Sequence, residues 1–262
     1  ERKQAKQQED FVRMDERFLN TPSFALEQAY SYVVKMAEIT KASLQEAMGL
    51  FITFDKEIAA DVEFKENLVD QYDDEISGYL VKLSSRNLSE KDSKKMTMLM
   101  HSIGDFERIS DHAINLVDAA REMQKKEQTF SSKALEELET FSRAVSDIVD
   151  MSVNIFEKKD VEEAKHVEPF EGAIDVIQKE MKKRHSKRLR KGKCTVELGF
   201  VLSDITNNYE RIADHCSNIA ISVMQLKEDE THAHEYVDTL PKGEGSEFDI
   251  RLQSYLRKYE LP

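Results

Sequence analysis

The phrase "ERISDHAIN" (residues 107–115) returns as "ERIADHCSN" (residues 210–218), with Glu, Arg, Ile, Asp, His and Asn kept in place. Both copies lie in stretches whose apolar residues recur every three or four positions, the spacing of a buried helix face. A second pair accompanies the first. "FDKEIAADVEFKENLVD" (54–70) aligns without gaps on "KDVEEAKHVEPFEGAID" (159–175), so that Asp55, Val62, Glu66 and Asp70 fall on Asp160, Val167, Glu171 and Asp175. The shift is 105 residues here (171 − 66) and 103 for the quoted phrase (210 − 107). Two nearly equal shifts mean that a whole unit has been duplicated, with loops of slightly different length.

Around these phrases the helix signals are regular. Thr21 as cap and Pro22 at the first helical position start a helix that runs to about Asp55. A second helix is expected from near Ala59 to Leu83, and a third, after the break "SSRNLSEKD", from about Glu90 to Lys125. Beyond "EQTFSSKALEE" the pattern restarts, with helices near 132–158, 161–190 and 196–227. The expected fold class is therefore all-α, with two tandem three-helix bundles. Residues 1–20 read as a linker or lead-in helix, 21–128 as the first bundle, 129–228 as the second, and 229–262 as a polar tail with one short terminal helix.

Composition narrows the functional classes. The 262 residues carry a net charge of −13, which repels nucleic acid. Two cysteines, Cys194 and Cys216, make no disulfide framework, so a reducing compartment is the default. No apolar run reaches the ~20 residues of a membrane helix, and no signal peptide is legible. The chain begins at Glu1 rather than Met, which reads as an excised piece of a longer protein.

The duplicated phrases carry paired acids one helical turn apart. With 51 acids in the chain, roughly ten such pairs arise by chance on solvated faces, so position is what gives these meaning. Glu66/Asp70 and Glu107/Asp111 occupy helices two and three of the first unit, and Glu171/Asp175 and Glu210/Asp214 the same places in the second. At about 100° per residue, Glu107 and Asp111 lie roughly 40° and 80° from Ile103, at the edge of the stripe Ile103, Phe106, Ser110, Ile114. Glu66 and Asp70 flank the stripe Val62, Val69, Ile76, Leu80 in the same way. Two facing helices would then gather four carboxylates, which need basic side chains, raised pKa values or a metal ion to coexist. Asp73 and Asp74 are possible additional ligands of the first unit, and Gln178 and Lys179 replace them in the second, so the first site is expected to be the more negative.

The histidines are weaker candidates. His112 falls roughly 180° from Ile103, away from the seam, and His215 follows it. Asn115, Asn218, Arg108 and Arg211 point outward and suit structural hydrogen bonding, and Cys216 suits a small semi-buried thiol. Glu163 and His166 form the single Glu-x-x-His motif, where di-metal bundles need two; "HAH" at 232–234 is a weak metal pattern. No phosphate loop, nucleophile elbow or His-Glu-x-x-His motif appears, so no enzyme and no organic cofactor is expected. One segment reverses the acidic rule: "KEMKKRHSKRLRKGK" (179–193) has nine Lys or Arg against one Glu. It reads either as a solvated helix end, Lys and Arg favouring the C-terminal dipole, or as a contact for an anionic membrane surface.

"GDFERISDHAIN" and "NNYERIADHCSN", with the upstream "ENLVD" and "EGAID", resemble the PhoU family of phosphate-homeostasis regulators over about residues 22–228. That resemblance implies two three-helix bundles whose acidic motifs bind multinuclear metal, iron or zinc, with manganese or another divalent ion as an alternative. It points to Glu66, Asp70, Glu107 and Asp111 in one bundle and Glu171, Asp175, Glu210 and Asp214 in the other. The family's acid two places before the helix-three Glu is matched by Asp105 but replaced by Asn208 in the second copy. The flanks "MDERFLNTPSFALEQA" and "HEYVDTLPKGEGSEFDIRLQSYLRKYE" look like the cytoplasmic part of bacterial sodium-dependent phosphate cotransporters. This implies a transmembrane transporter region in the same polypeptide and a place at the cytoplasmic face of the plasma membrane. The alternatives are a free-standing PhoU-type adaptor whose partners are a separate phosphate transporter and a sensor kinase, or a metal-free helical scaffold; each is compatible with a homodimer.

Overall fold

The computed structural model describes residues 13–226, 243 and 245–262. The first twelve residues and the His232–His234 pattern lie outside these. Every regular element among the described residues is helical. The helices are α1 (Pro22–Gly49), α2 (Lys56–Ser84), α3 (Glu90–Lys125), α4 (Ser132–Lys158), α5 (Val161–Ala164), α6 (Val167–Arg190), α7 (Val196–Met224) and α8 (Glu247–Lys258). Helices α1, α2 and α3 pack as one bundle, and α4, α6 and α7 as a second. The two join along α3–α7 and α1–α4, so the expected tandem architecture is the observed one.

Side-chain caps set most helix starts. Asp55 accepts from the amides of Glu57 and Ile58, and its counterpart Asp160 from those of Glu162 and Glu163. The repeated Asp therefore starts the next helix in each copy, and α1 ends at Gly49 rather than near Asp55. Ser89, Ser131 and Thr195 cap α3, α4 and α7 in the same manner. The helix expected over 161–190 is broken into α5 and α6 at Lys165 and His166. Pro169 explains the break: it has no N–H for the Lys165 carbonyl, and its ring crowds that carbonyl.

The core is continuous through both bundles. Phe156 of α4 is fully buried and meets Phe106 of α3 edge-on, with ring centroids 5.4 Å apart, and Tyr30 of α1 at 5.4 Å. In the second bundle Phe141 and the buried Tyr209 pack edge to face, and the Tyr209 hydroxyl shares a 2.7 Å hydrogen bond with Ser142. Residues 13–20 lie against α2: Met14 and Leu19 are buried, and the Met14 amide donates to Glu75. At the other end, α8 covers α6, where Phe170 stacks on Tyr255 at 4.2 Å, and Lys258 and Tyr259 both reach Asp147.

One buried charge ties α4 to α6. The Glu137 side chain has no solvent exposure and is held by Arg188 at 2.7 Å and Arg184 at 3.2 Å. Arg184 also donates to the carbonyls of Leu261 and Pro262. Removing one partner leaves a buried carboxylate short of its counter-charge. Arg188→Ala is therefore expected to cost about 3 kcal/mol in urea denaturation, and an unchanged midpoint would disprove the clamp.

Candidate metal centres

Each pair of α2/α3-type helices brings its acids to one seam. In the first bundle, Glu66, Asp70 and Asp73 of α2 face Glu107 and Asp111 of α3, while the intervening residues Val62, Val69, Ile76, Ile103 and Phe106 are buried. The acids lie where the apolar stripe meets solvent: Glu66, Glu107 and Asp111 are half-buried, and Asp70 is exposed. Burial raises the Glu66 carboxyl above its ordinary range, and Asp70 and Asp111 add to the rise. Asp70, although largely exposed, is raised by partial desolvation of its carboxyl and then by Asp111, Asp73 and Asp74. Burial and Asp111 likewise raise Glu107, opposed by the exposed Arg108, which lies 3.5 Å from Glu107 and 3.4 Å from Asp111.

The second bundle repeats this arrangement with different neighbours. Glu171 and Asp175 of α6 face Glu210 and Asp214 of α7, and Arg211 lies 3.7 Å from both α7 acids. Burial, followed by Glu168, Asp175, Asp214 and Glu210, pushes the Glu171 carboxyl up to about 8. Asp214 is raised by burial and by Glu210. Lys179, at the place of Asp74, pairs with Asp175 at 2.9 Å; Gln178, at the place of Asp73, is buried and donates to the Thr206 carbonyl. Glu168 was missed by the sequence reading, although the aligned phrases set it opposite Glu63. The two differ in partner: Glu63 pairs with Arg121 at 2.6 Å, whereas Glu168 accepts a hydrogen bond from Ser217.

As the side chains stand, no three His, Cys, Asp or Glu among the described residues are close enough to hold one ion. The donors available at each seam are carboxylate oxygens, a set that suits a hard cation. Nitrogen and sulfur donors lie elsewhere. Burial pushes the Cys216 thiol up to about 12, and His166, at the start of α6, pairs with Glu163 at 3.1 Å and lies 3.9 Å from Glu247.

The histidines belong to the join between repeats. His112 Nδ1 lies 2.8 Å from Asn208 Oδ1, and His215 Nδ1 lies 2.9 Å from Asp105 Oδ1. Asn115 donates to Asn208 and Asn218 to Asp105. The rings of His112 and His215 are 5.7 Å apart. These reciprocal pairs, with i meeting j in one half and their counterparts meeting in the other, define a local two-fold relation between α3 and α7. Burial lowers the His112 pKa, so this ring is held neutral. The Asp105/Asn208 difference thus sits at the inter-repeat contact, away from the acidic seams.

This is a duplicated three-helix protein with an acid-lined seam in each copy. The PhoU domain model matches residues 33–120 and 138–223, two thirds of the chain, and the chain belongs to that family. It is 24% identical over 198 residues to "Phosphate-specific transport system accessory protein PhoU homolog 1" of Thermotoga maritima, covering 75% of this chain and 84% of that protein. A PhoU homolog of the same description from Aquifex aeolicus is 24% identical over 220 residues, covering 84% of this chain and 97% of that one. The crystal structure of PhoU from Pseudomonas aeruginosa superposes with a TM-score of 0.73 at 21% identity, covering 78% of this chain and 97% of that chain. PhoU from Streptococcus pneumoniae gives 0.70 at 18%, covering 79% and 96%. No helix among the described residues is long and apolar enough to cross a membrane.

Two predictions come from this geometry. Glu171 is raised from 4.5 to about 8 on folding, so its contribution to stability is full below pH 4.5 and is lost as pH rises through 8. In chelator-treated protein, Glu171→Gln is expected to stabilise at pH 8 by upwards of about 1 kcal/mol and to flatten the decline between pH 5 and 8; parallel denaturation curves would refute this. Asn208→Ala strips His112 and Asn115 of their shared acceptor and is expected to lower stability by about 1–3 kcal/mol, read from urea midpoints.

Proposed function

We propose that this protein is a non-enzymatic, PhoU-type accessory regulator of a phosphate transport system, acting at the cytoplasmic face of the plasma membrane. The observation that carries this is the twice-repeated acidic seam within a PhoU-family fold. The names of the curated relatives, accessory proteins of phosphate-specific transport, favour the adaptor with a separate transporter and sensor kinase as partners. The cotransporter reading stands second; residues 13–20 and 245–262, outside the family match but packed on the bundles, are what favour it. Reading the codons upstream of Glu1 separates the two, since a hydrophobic membrane region there supports the cotransporter and a start codon eliminates it.

Metal binding is part of the proposal. Glu66, Asp70, Glu107 and Asp111, supplemented by Asp73 and Asp74, would hold one metal group, and Glu171, Asp175, Glu210 and Asp214 the other. Iron, zinc and manganese are the candidates. Bound metal supplies positive charge that offsets the carboxylate repulsion and fixes the relation of the two helices in each seam. The chain's own residues position that charge: Val62, Val69, Ile103 and Phe106 anchor the first seam from beneath, and Arg108 screens the solvent side of the first seam and Arg211 that of the second. The test is elemental analysis after reconstitution with iron, zinc or manganese. Glu107→Gln/Asp111→Asn is expected to lose about half the metal of the parent, leaving the second site loaded. Equal metal content in both proteins, or none in the parent, would defeat the site.

A further inference from the structure

The basic segment 179–193 separates into two groups in the fold. Arg184 and Arg188 turn inward to buried Glu137. Lys179, Lys182 and Lys183 lie along α6 against Asp175, Asn207 and Glu180. This leaves Lys187, Arg190, Lys191 and Lys193, all exposed, at the end of α6 and in the turn into α7. Among the described residues these four form no ion pair. Gly192, at φ 63°, turns the chain here, and the Arg188–Glu137 contact fixes the base of the turn. Over residues 181–203 the only acid is Glu197, in a chain whose net charge is −13.

Exposed apolar side chains flank these charges, with Phe200 bordering a groove that also holds Asp118, Glu122, Glu197 and Asp204. Leu189 in the last turn of α6 is 38% exposed, and Val196 and Phe200, one turn apart on the same side of α7, are 53% and 72% exposed. Phe200 is the most exposed large apolar side chain among the described residues. A cationic turn carrying projecting apolar groups matches the chemistry of an anionic lipid surface, with charge attracting the headgroups and apolar side chains entering the headgroup–acyl boundary. The rest of the acidic body disfavours a polyanion that would wrap the molecule.

We propose that the α6–α7 turn docks the protein on anionic membrane lipid through Lys187, Arg190, Lys191 and Lys193, with Val196 and Phe200 entering the interface. This goes beyond the phosphate-transport reading and does not depend on it, because the measurement needs neither transporter nor metal. Purified protein is co-sedimented with vesicles of phosphatidylcholine alone or mixed with phosphatidylglycerol. Binding is expected only to the anionic vesicles and should weaken with added salt. Lys187→Glu/Arg190→Glu/Lys191→Glu/Lys193→Glu should reduce partitioning by more than about a hundredfold, while retaining helical circular dichroism. Phe200→Ser/Val196→Ser should reduce it by about tenfold or more without altering the charge. Absence of parent binding, or equal binding by the four-site variant, would overturn the proposal. Loss on charge reversal without any effect of Phe200→Ser/Val196→Ser, together with equal binding to an acidic polypeptide, would overturn the lipid assignment in favour of an acidic protein partner.

Discussion

Like-charged carboxylates crowded at the α2–α3 and α6–α7 seams are the constraint on which the remaining structure turns. Acids one turn apart disfavour a helix, and facing pairs compound the cost. The fold tolerates them because the neighbouring stripe is buried and largely apolar: Val62, Val69, Ile103 and Phe106 line it in one copy, and Ile174, Ile212 and Ala213 in the other. Burial of these side chains, about 25 cal/mol per Å² of apolar area, fixes the helices at a separation their acids alone would resist. Cations then act from the solvent side, where Arg108 and Arg211 lie exposed and reach the acids at 3.4–3.7 Å. Their contribution is small because exposed pairs are well screened, so the raised carboxyl pKa values persist.

The same helices also join the two repeats. On α7 the adjacent residues Asp214 and His215 point to different partners, Asp214 toward its own seam and His215 toward Asp105 of α3. On α3, Asp111 and His112 do the same. A rotation of α7 about its axis would therefore alter the seam and the inter-repeat hydrogen bonds together. The doubled phrase is retained as a block because its members serve both surfaces: Glu and Asp the seam, His and Asn the join.

Much of this was legible in the sequence, and the limits have physical causes. Helical phase placed Glu107 and Asp111 at the edge of the core and His112 opposite, because a single helix fixes those angles. It could not say what lay opposite, so the pairing of His112 with Asn208 and of His215 with Asp105 came only with the packing of α3 on α7. The break before α6 follows from Pro169, whose effect on the Lys165 carbonyl outweighs the helical spacing of the apolar residues on either side. Glu168 does not stand out in the sequence, since it aligns with another acid, Glu63; the fold pairs Glu63 with Arg121 and sets Glu168 against Glu171. The basic run 179–193 was read as one unit, yet Arg184 and Arg188 face inward, a division set by a buried Glu137 more than forty residues away.

The two copies have diverged in charge more than in shape. Asp73 and Asp74 give way to Gln178 and Lys179, and Arg121 with Glu63 gives way to Met224 and the Ser217–Glu168 bond. The first of these changes makes the second seam less negative, and the second change returns an acid to it without an arginine counterpart. Burial is the deciding factor between them. Glu171 lies deeper than any seam acid of the first bundle, and it alone is pushed as far as about 8. The first seam therefore keeps its acids nearer the surface, whereas Glu171 of the second holds its proton to higher pH. Duplication followed by exchange of a few charges gives one scaffold two acidic seams of different electrostatic character.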